Sequence, residues 1–207
     1  MKLYYAPGAC SLAPHIALRE ADLPYTLARV DLAKHAVQDG RDYRSINPKG
    51  YVPTLELDDG TTLTEASVVL QYIADRVPGT LAPAFGSMER YRLMEWLNFI
   101  ATEIHKGFAP LWDPHAPQAT HAAAREKLAK RFAFVEAPLA QQAFVTGSSF
   151  TIADAYLFTV ANWSDHLQVD LARFPALRAF MSRVRARASV RSAMREEGLQ
   201  PSEQAAA

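Results

Sequence analysis

The 207-residue chain carries one cysteine, Cys10. That excludes an intramolecular disulfide and any zinc site built from several thiolates. Charge of one sign is also missing. Lys plus Arg and Asp plus Glu number 22 each, so no net field draws the chain to nucleic acid or to anionic lipid. No apolar run approaches the ~18 residues that cross a bilayer. The six histidines, at 15, 35, 105, 115, 121 and 166, form no His-x-x-x-His pair and join no carboxylate cluster, which argues against a metal enzyme. The opening stretch lacks the apolar core of a secretory leader, because Pro7, Gly8, Pro14, His15, Arg19 and Glu20 interrupt it. A reducing, cytoplasmic setting is therefore expected, with no nucleic acid, membrane or metal as partner.

What is present is an ordinary globular composition, 49% hydrophobic and 21% charged, in a length that fills one large domain or two modest ones. Residues 2–5 (KLYY) read as a strand ending at Ala-Pro-Gly, and 11–21 as a short helix with Pro14 tolerated in its first turn. TLARVD (26–31) alternates like a strand, and TLELDDGTTL (54–63) is a hairpin signature around Asp59-Gly60. EASVVLQYIADRV (65–77) has a helical apolar period. Two Pro and two Gly then fall within 77–87, the best linker in the chain. Everything after it reads helical: a long helix over 87–108, another over 119–141 that ends near Pro138, one opening at Thr151, and two short ones over 175–187 and 189–197. Thr151 and Asp154 have the spacing of a capping box. The expected division is an α/β unit over 1–77, a linker at 78–86, an all-α unit over 87–200 and a frayed tail at 201–207.

The lone thiol stands between a Pro-Gly turn and the start of a helix, YYAPGACSLAP. Unpaired N–H groups and the helix dipole favour an anion there, so the spacing predicts a Cys10 pKa below the usual ~8.5. The competing reading is an inert, small buried hydrophobe. Cys10-Ser11-Leu12-Ala13 lacks the second cysteine of a Cys-x-x-Cys pair, so a disulfide at Cys10 needs an outside thiol, and glutathione is the abundant small one. In NPKGYVPTL (47–55) the Val52-Pro53 bond precedes a strand. A cis peptide fits there and would leave the Val52 backbone outward for an extended peptide, although a merely rigid loop reads the same way. LTEAS (63–67) places Glu65 at a helix start, with the N–H groups of Ala66 and Ser67 at its mouth. That mouth suits a carboxylate and Glu65 an ammonium, unless Glu65 only complements the dipole. Together these signals describe a receptor for a short, charged, thiol-bearing peptide.

In these stretches, and in ERYRLMEWLNFIATEIHKGF and TIADAYLF, the chain resembles the glutathione S-transferases and is most similar to their bacterial beta class. The resemblance implies a thioredoxin-like N-terminal domain followed by a helical-bundle C-terminal domain, in a homodimer, with glutathione as co-substrate and a small hydrophobic electrophile as second substrate. It implies that Cys10 lies beside the glutathione sulfur and can hold it as a mixed disulfide. Val52 before Pro53 would pair with the cysteinyl backbone, and Glu65 with Ala66 would grip the γ-glutamyl end. Lys34 or His35 would meet the glycyl carboxylate. Asn98, His105 and Lys106 would reach the site from the long helix, where a regular wheel puts Asn98 and His105 within about 20° of each other. Ser11, and Tyr5 as a rival, could share the thiol-activating task with Cys10, and His105 could take the proton. Tyr5, Phe108, Leu111, Trp112, Trp163 and His166 would form the electrophile site, although each is as readily plain core packing. Two other functions fit the same residues: a thiol–disulfide oxidoreductase with Cys10 as nucleophile, and a non-catalytic ligand binder.

Overall fold

The structure is a computed structural model and describes residues 1–199. The tail expected at 201–207, and residue 200, lie outside the described residues. Strand β1 (Lys2–Tyr5) shows why the N-terminal part folds as it does. Its two-residue period sends Leu3 and Tyr5 to one face and Tyr4 to the other. Leu3 and Tyr5 join the main core with Ile16 of α1 (Leu12–Glu20) and Val69 and Ile73 of α2 (Ala66–Asp75). Tyr4 joins a smaller cluster with Val30, Tyr43 and Val52 behind the sheet. Helix α1 connects β1 to its parallel neighbour β2 (Thr26–Asp31), the crossover that parallel strands require. The sheet order is β3-β2-β1-β4-β5, with β3 (Ala36–Val37), β4 (Thr54–Glu56) and β5 (Thr62–Thr64) antiparallel to their neighbours. The β4–β5 hairpin turns through Gly60 at φ +84°, a conformation that glycine adopts without penalty.

The remaining elements are helical: α3 (Met88–Phe99), α4 (Gln118–Leu139), α5 (Ile152–Ala161), α6 (Trp163–His166), α7 (Pro175–Arg185) and α8 (Ala188–Glu196). Every residue of α5 is buried, so it forms the axis of this part, and α1 packs on α5, α8 and α2. One hydrophobic core runs through both parts of the chain. Phe132, Phe158 and Phe180 are fully buried in it, each stabilising the fold by roughly 1.5–3 kcal/mol. The capping box at the start of α5 is present: the Asp154 carboxylate accepts from Thr151 N–H (2.8 Å), Thr151 Oγ1 (2.8 Å) and Val145 N–H (2.9 Å). Burial pushes the Asp154 pKa up to about 6 against those hydrogen bonds.

The long helix expected over 87–108 is not continuous. After Phe99 the chain enters a π turn (Ile100–His105) and then a 3-10 segment (Lys106–Trp112). Within the 3-10 segment Gly107 lies close against α4, where a Cβ would come 2.8 Å from Leu128 Cδ2. Pro110 keeps the following turn from resuming an α-helix. The two-residue β3 and the 3-10 turn Tyr43–Ser45 are too short for a periodicity to reveal.

Candidate active site

Three backbone features converge on one cavity of about 510 Å³: the turn before α1, the loop before β4 and the first residues of α2. The turn is built by Ser11, whose Oγ accepts from Ala6 N–H (3.2 Å) and donates to Ala6 C=O (3.3 Å). Across the sheet, Tyr43 and Asn47 hold the 47–53 loop. The Tyr43 hydroxyl bonds Thr54 Oγ1 (2.7 Å) and the Tyr51 carbonyl (3.3 Å), and Asn47 Nδ2 donates to the same carbonyl (2.8 Å). The Val52-Pro53 peptide is cis. Among the described residues, no hydrogen bond takes the Val52 N–H.

Cys10 Sγ donates to the Val52 carbonyl at 3.2 Å, so the thiol and the proposed peptide-pairing edge are in direct contact. Cys10 lines the cavity but is only 8% exposed. Burial pushes its pKa up to about 12; the N–H groups of Cys10 and Ser11 and the Lys106 ammonium pull the other way, and lose. The expectation of a depressed pKa is thus overturned. The helix N-terminus acts as expected, but desolvation of the thiolate outweighs it.

Glu65 precedes α2 at φ +69°, a conformation that costs a non-glycine residue roughly 1–3 kcal/mol. It leaves the first N–H groups of α2 at the cavity mouth. Its carboxylate is paired with the Lys49 ammonium, which also donates to Thr64 Oγ1. His105, at the end of the π turn, shares a 2.7 Å hydrogen bond between Nδ1 and the Tyr156 hydroxyl of α5. Burial, with Lys106 second, lowers the His105 pKa to about 4, so its ring is neutral at pH 7. Lys106 Nζ sits 5.9 Å from the Tyr51 ring centre.

Of the expected residues, Cys10, Val52, Pro53, Glu65, Ala66, His105, Lys106, Trp112 and Trp163 line this cavity. The others do not. Ser11 is fully buried and spends its hydroxyl on the turn. Tyr5 belongs to the core, its ring 6.3 Å from that of His15. Lys34 is exposed and lies 3.7 Å from Asp31, while His35 Nδ1 bonds the Gly50 carbonyl at 3.1 Å. Ser67 Oγ points to the Leu97 carbonyl. Asn98 is exposed outside the cavity, because the π turn's i→i+5 bonding breaks the regular wheel that aligned it with His105. Phe108 and Leu111 are buried behind the wall, with Phe108 5.5 Å from Trp163. His166 sits against the outer face of Trp112 at 5.7 Å.

Sequence reasoning missed Tyr51, Tyr156 and Gly8, which also line the cavity. Tyr51 adjoins the Val52-Pro53 motif, so scanning one residue further would have found it. Tyr156 lay hidden in a helix that is buried along its whole length.

A sheet of this order bearing a thiol turn beside a cis-proline loop, and closed by a helical bundle, defines a thioredoxin-like transferase fold. Residues 8–76 match the pattern of the glutathione S-transferase N-terminal domain, and residues 99–188 that of its C-terminal domain. The chain is 48% identical to glutathione S-transferase GstA of Escherichia coli O157:H7, over 96% of this chain and all of that one. It superposes on the ternary complex of BphK, a bacterial transferase, with a TM-score of 0.95 at 52% identity, over 96% and 100% of the two chains. A sphingomonad enzyme complexed with glutathione and a beta-class enzyme of Sphingomonas chungbukensis each give 0.93 at 43% identity, over 97% of this chain and 100% of theirs. The chain belongs to the glutathione S-transferase family and is similar to its bacterial beta class.

Proposed function

We propose that the protein binds glutathione in the 510 Å³ cavity and delivers its thiolate to a small hydrophobic electrophile held against Trp112 and Trp163. The observation that carries this reading is the contact between Cys10 Sγ and the Val52 carbonyl, which puts a sulfur site and a strand-pairing edge within 3.2 Å. In this reading Val52 pairs with the cysteinyl backbone of the tripeptide. The start of α2 receives the γ-glutamyl carboxylate, and Glu65, shared with Lys49, its ammonium. Lys106 faces the cavity as a cation for the incoming sulfur.

Burial of the Cys10 thiol favours one role over the other. With a pKa of about 12, the side chain is a thiol at neutral pH; turned away from the Val52 carbonyl that it meets in the ligand-free chain, its S–H donates to the glutathione thiolate and frees that carbonyl for the tripeptide. The glutathione proton leaves to solvent or to neutral His105. The thiolate then forms a sulfur–carbon bond while the leaving group departs with its electron pair. Conjugation is favoured by this arrangement over thiol–disulfide exchange, which needs Cys10 as the anion. A mixed disulfide at Cys10 belongs to the slower chemistry of the same site. Titration with glutathione, followed by ultraviolet thiolate absorbance in wild type and Cys10→Ser, tests the reading. Thiolate absorbance should grow to saturation in both, at higher pH in the variant; no absorbance in wild type refutes it.

The same reading divides the chain at 78–86 and makes it a homodimer. Support for the division comes from family matches that fall on either side of that stretch. Support for the dimer comes from the exposed apolar side chains Val68, Phe85, Met88, Tyr91 and Met94.

A further inference from the structure

Strand pairing fixes the order in which four stretches of chain meet along one edge of the sheet. β1 and β2 are parallel, β4 runs against β1, and β5 runs against β4. The edge that carries the ends of β2, β1 and β5 therefore also carries the start of β4. Along it lie, in order, Leu32 after β2, the Cys10 turn after β1, Val52-Pro53 before β4 and Glu65 after β5. All four positions line the 510 Å³ cavity. A tripeptide with its γ-glutamyl end at Glu65 and its cysteinyl backbone on Val52 runs along this edge and brings its glycine to Leu32.

That end of the cavity has little to hold a carboxylate. Leu32 is apolar and partly exposed. The next two backbone donors, the N–H groups of Ala33 and Lys34, both donate to Asp31 Oδ1, at 3.0 and 3.1 Å. The turn after β2 thus already carries a carboxylate of its own. The Lys34 ammonium lies 3.7 Å from Asp31 Oδ2, outside the cavity lining. His35 Nδ1–H donates to the Gly50 carbonyl at 3.1 Å, and His35 does not line the cavity either. Among the described residues that line it, Lys106 is the one permanent cation, on the helical wall and 5.9 Å from the Tyr51 ring centre.

We propose that this chain recognises its thiol co-substrate by the γ-glutamyl and cysteinyl residues and not by the terminal carboxylate. γ-Glutamylcysteinyl thiols that end in a neutral amide or ester then serve it as well as glutathione does. The inference rests on the glutathione reading above and deepens it. Leu32 is the residue that sets this specificity, because it meets the third residue with apolar surface and no charge. A carboxylate held by a charge-assisted hydrogen bond makes a difference of about tenfold or more in affinity. Where no such bond is made, neutralising the carboxylate sacrifices no ion pair and lowers the cost of desolvating that end.

Calorimetric titration of the full chain with glutathione, its glycine amide and its glycine ethyl ester tests it. The three dissociation constants should agree within about fivefold. Leu32→Lys, at a partly exposed position, should tighten glutathione alone and make the acid preferred over the amide by about tenfold or more. Lys34→Gln should leave the ratio of acid to amide unchanged. Lys106→Gln should weaken all three alike, as a cation facing the sulfur would. A wild-type loss of more than about fivefold for the amide and the ester overturns the proposal. So does selective loss of the acid in Lys34→Gln or Lys106→Gln, or an unchanged ratio in a Leu32→Lys chain of wild-type thermal midpoint. If none of the three compounds binds wild type, the glutathione reading falls and takes this inference with it; if glutathione binds and the amide does not, only the inference falls.

Discussion

The indole Nε1–H of Trp163 donates to the carbonyl of Gly8 at 2.8 Å, while the Gly8 N–H donates to Glu197 Oε2 at 2.9 Å. Gly8, two residues before the thiol, is therefore clamped on both sides by the C-terminal part of the chain. Glu197 is itself held by His15, whose Nδ1 lies 2.9 Å from Oε1. The turn that carries Cys10 owes its shape to residues more than 150 positions away. Trp163→Phe keeps an aromatic ring but leaves the Gly8 carbonyl without its donor. The expected cost is about 1–3 kcal/mol of stability, read by urea unfolding, together with weaker glutathione binding. Unchanged binding at reduced stability would mean that the clamp holds the fold but not the site.

Cys10 should be sluggish toward alkylating agents in the ligand-free protein. A pKa near 12, against the ordinary ~8.5, lowers the thiolate fraction at pH 7.4 by roughly three orders of magnitude. Iodoacetamide labelling followed by mass spectrometry should run at least about a hundredfold slower than with free cysteine. Denaturant should restore the ordinary rate. Fast labelling of the folded chain would show that the helix N-terminus wins after all.

How much of this was legible beforehand differs by length scale. The main helices and strands were readable, because apolar period and turn chemistry are local. The stretch YYAPGAC gave away the thiol turn, and NPKGYVP the loop. The Cys10 pKa was not readable, because desolvation depends on what the fold stacks over the sulfur. Nor was the loss of Asn98 from the site, since the π turn after Phe99 leaves no sequence period of its own. The Gly8 clamp is invisible for the same reason: Trp163 and Glu197 have no sequence signal that names a partner so far away.

His105 makes a contribution to stability that falls with acid, opposed up to about pH 6 by Asp154, whose raised pKa works in the other direction. The folded pKa of His105, about 4, lies below the ordinary histidine value of ~6.5. Between those values the unfolded chain protonates His105 and the folded chain does not, so this contribution rises with pH across the window and is lost as pH falls through it. The contribution is on the order of 3 kcal/mol. His105→Gln should flatten the slope of unfolding free energy between about pH 4 and 6.5 while costing little at pH 8. An unaltered slope would place the acid sensitivity elsewhere.

Phe108 and Trp112 should separate packing from substrate contact. Phe108 is fully buried, with its ring 6.2 Å from Phe132 and 5.5 Å from Trp163. Phe108→Ala is expected to destabilise by about 3–5 kcal/mol. Trp112 is 48% exposed and lines the cavity, so Trp112→Ala should cost little stability. It should instead raise the KM for an aromatic electrophile without changing that for glutathione. Equal effects on both KM values would remove Trp112 from the electrophile site.

The exposed face of α3 supplies the last test. Met88 and Tyr91 of α3 are 66% and 56% exposed and Phe85, just before the helix, 88%, so an isolated monomer leaves three large apolar side chains in water. Met88 and Tyr91 are three residues apart, so they share one side of the helix, while Leu93 and Leu97 point into the core. A second copy meeting this face through a two-fold axis would bury the same side chains from both subunits. Met88→Glu with Tyr91→Glu would then place like charges against each other in a low-dielectric seam. Light scattering after gel filtration should show a dimer for wild type and a monomer for the double variant at micromolar concentration. If both run as monomers, the patch is not a subunit contact. If both run as dimers, the subunits meet elsewhere.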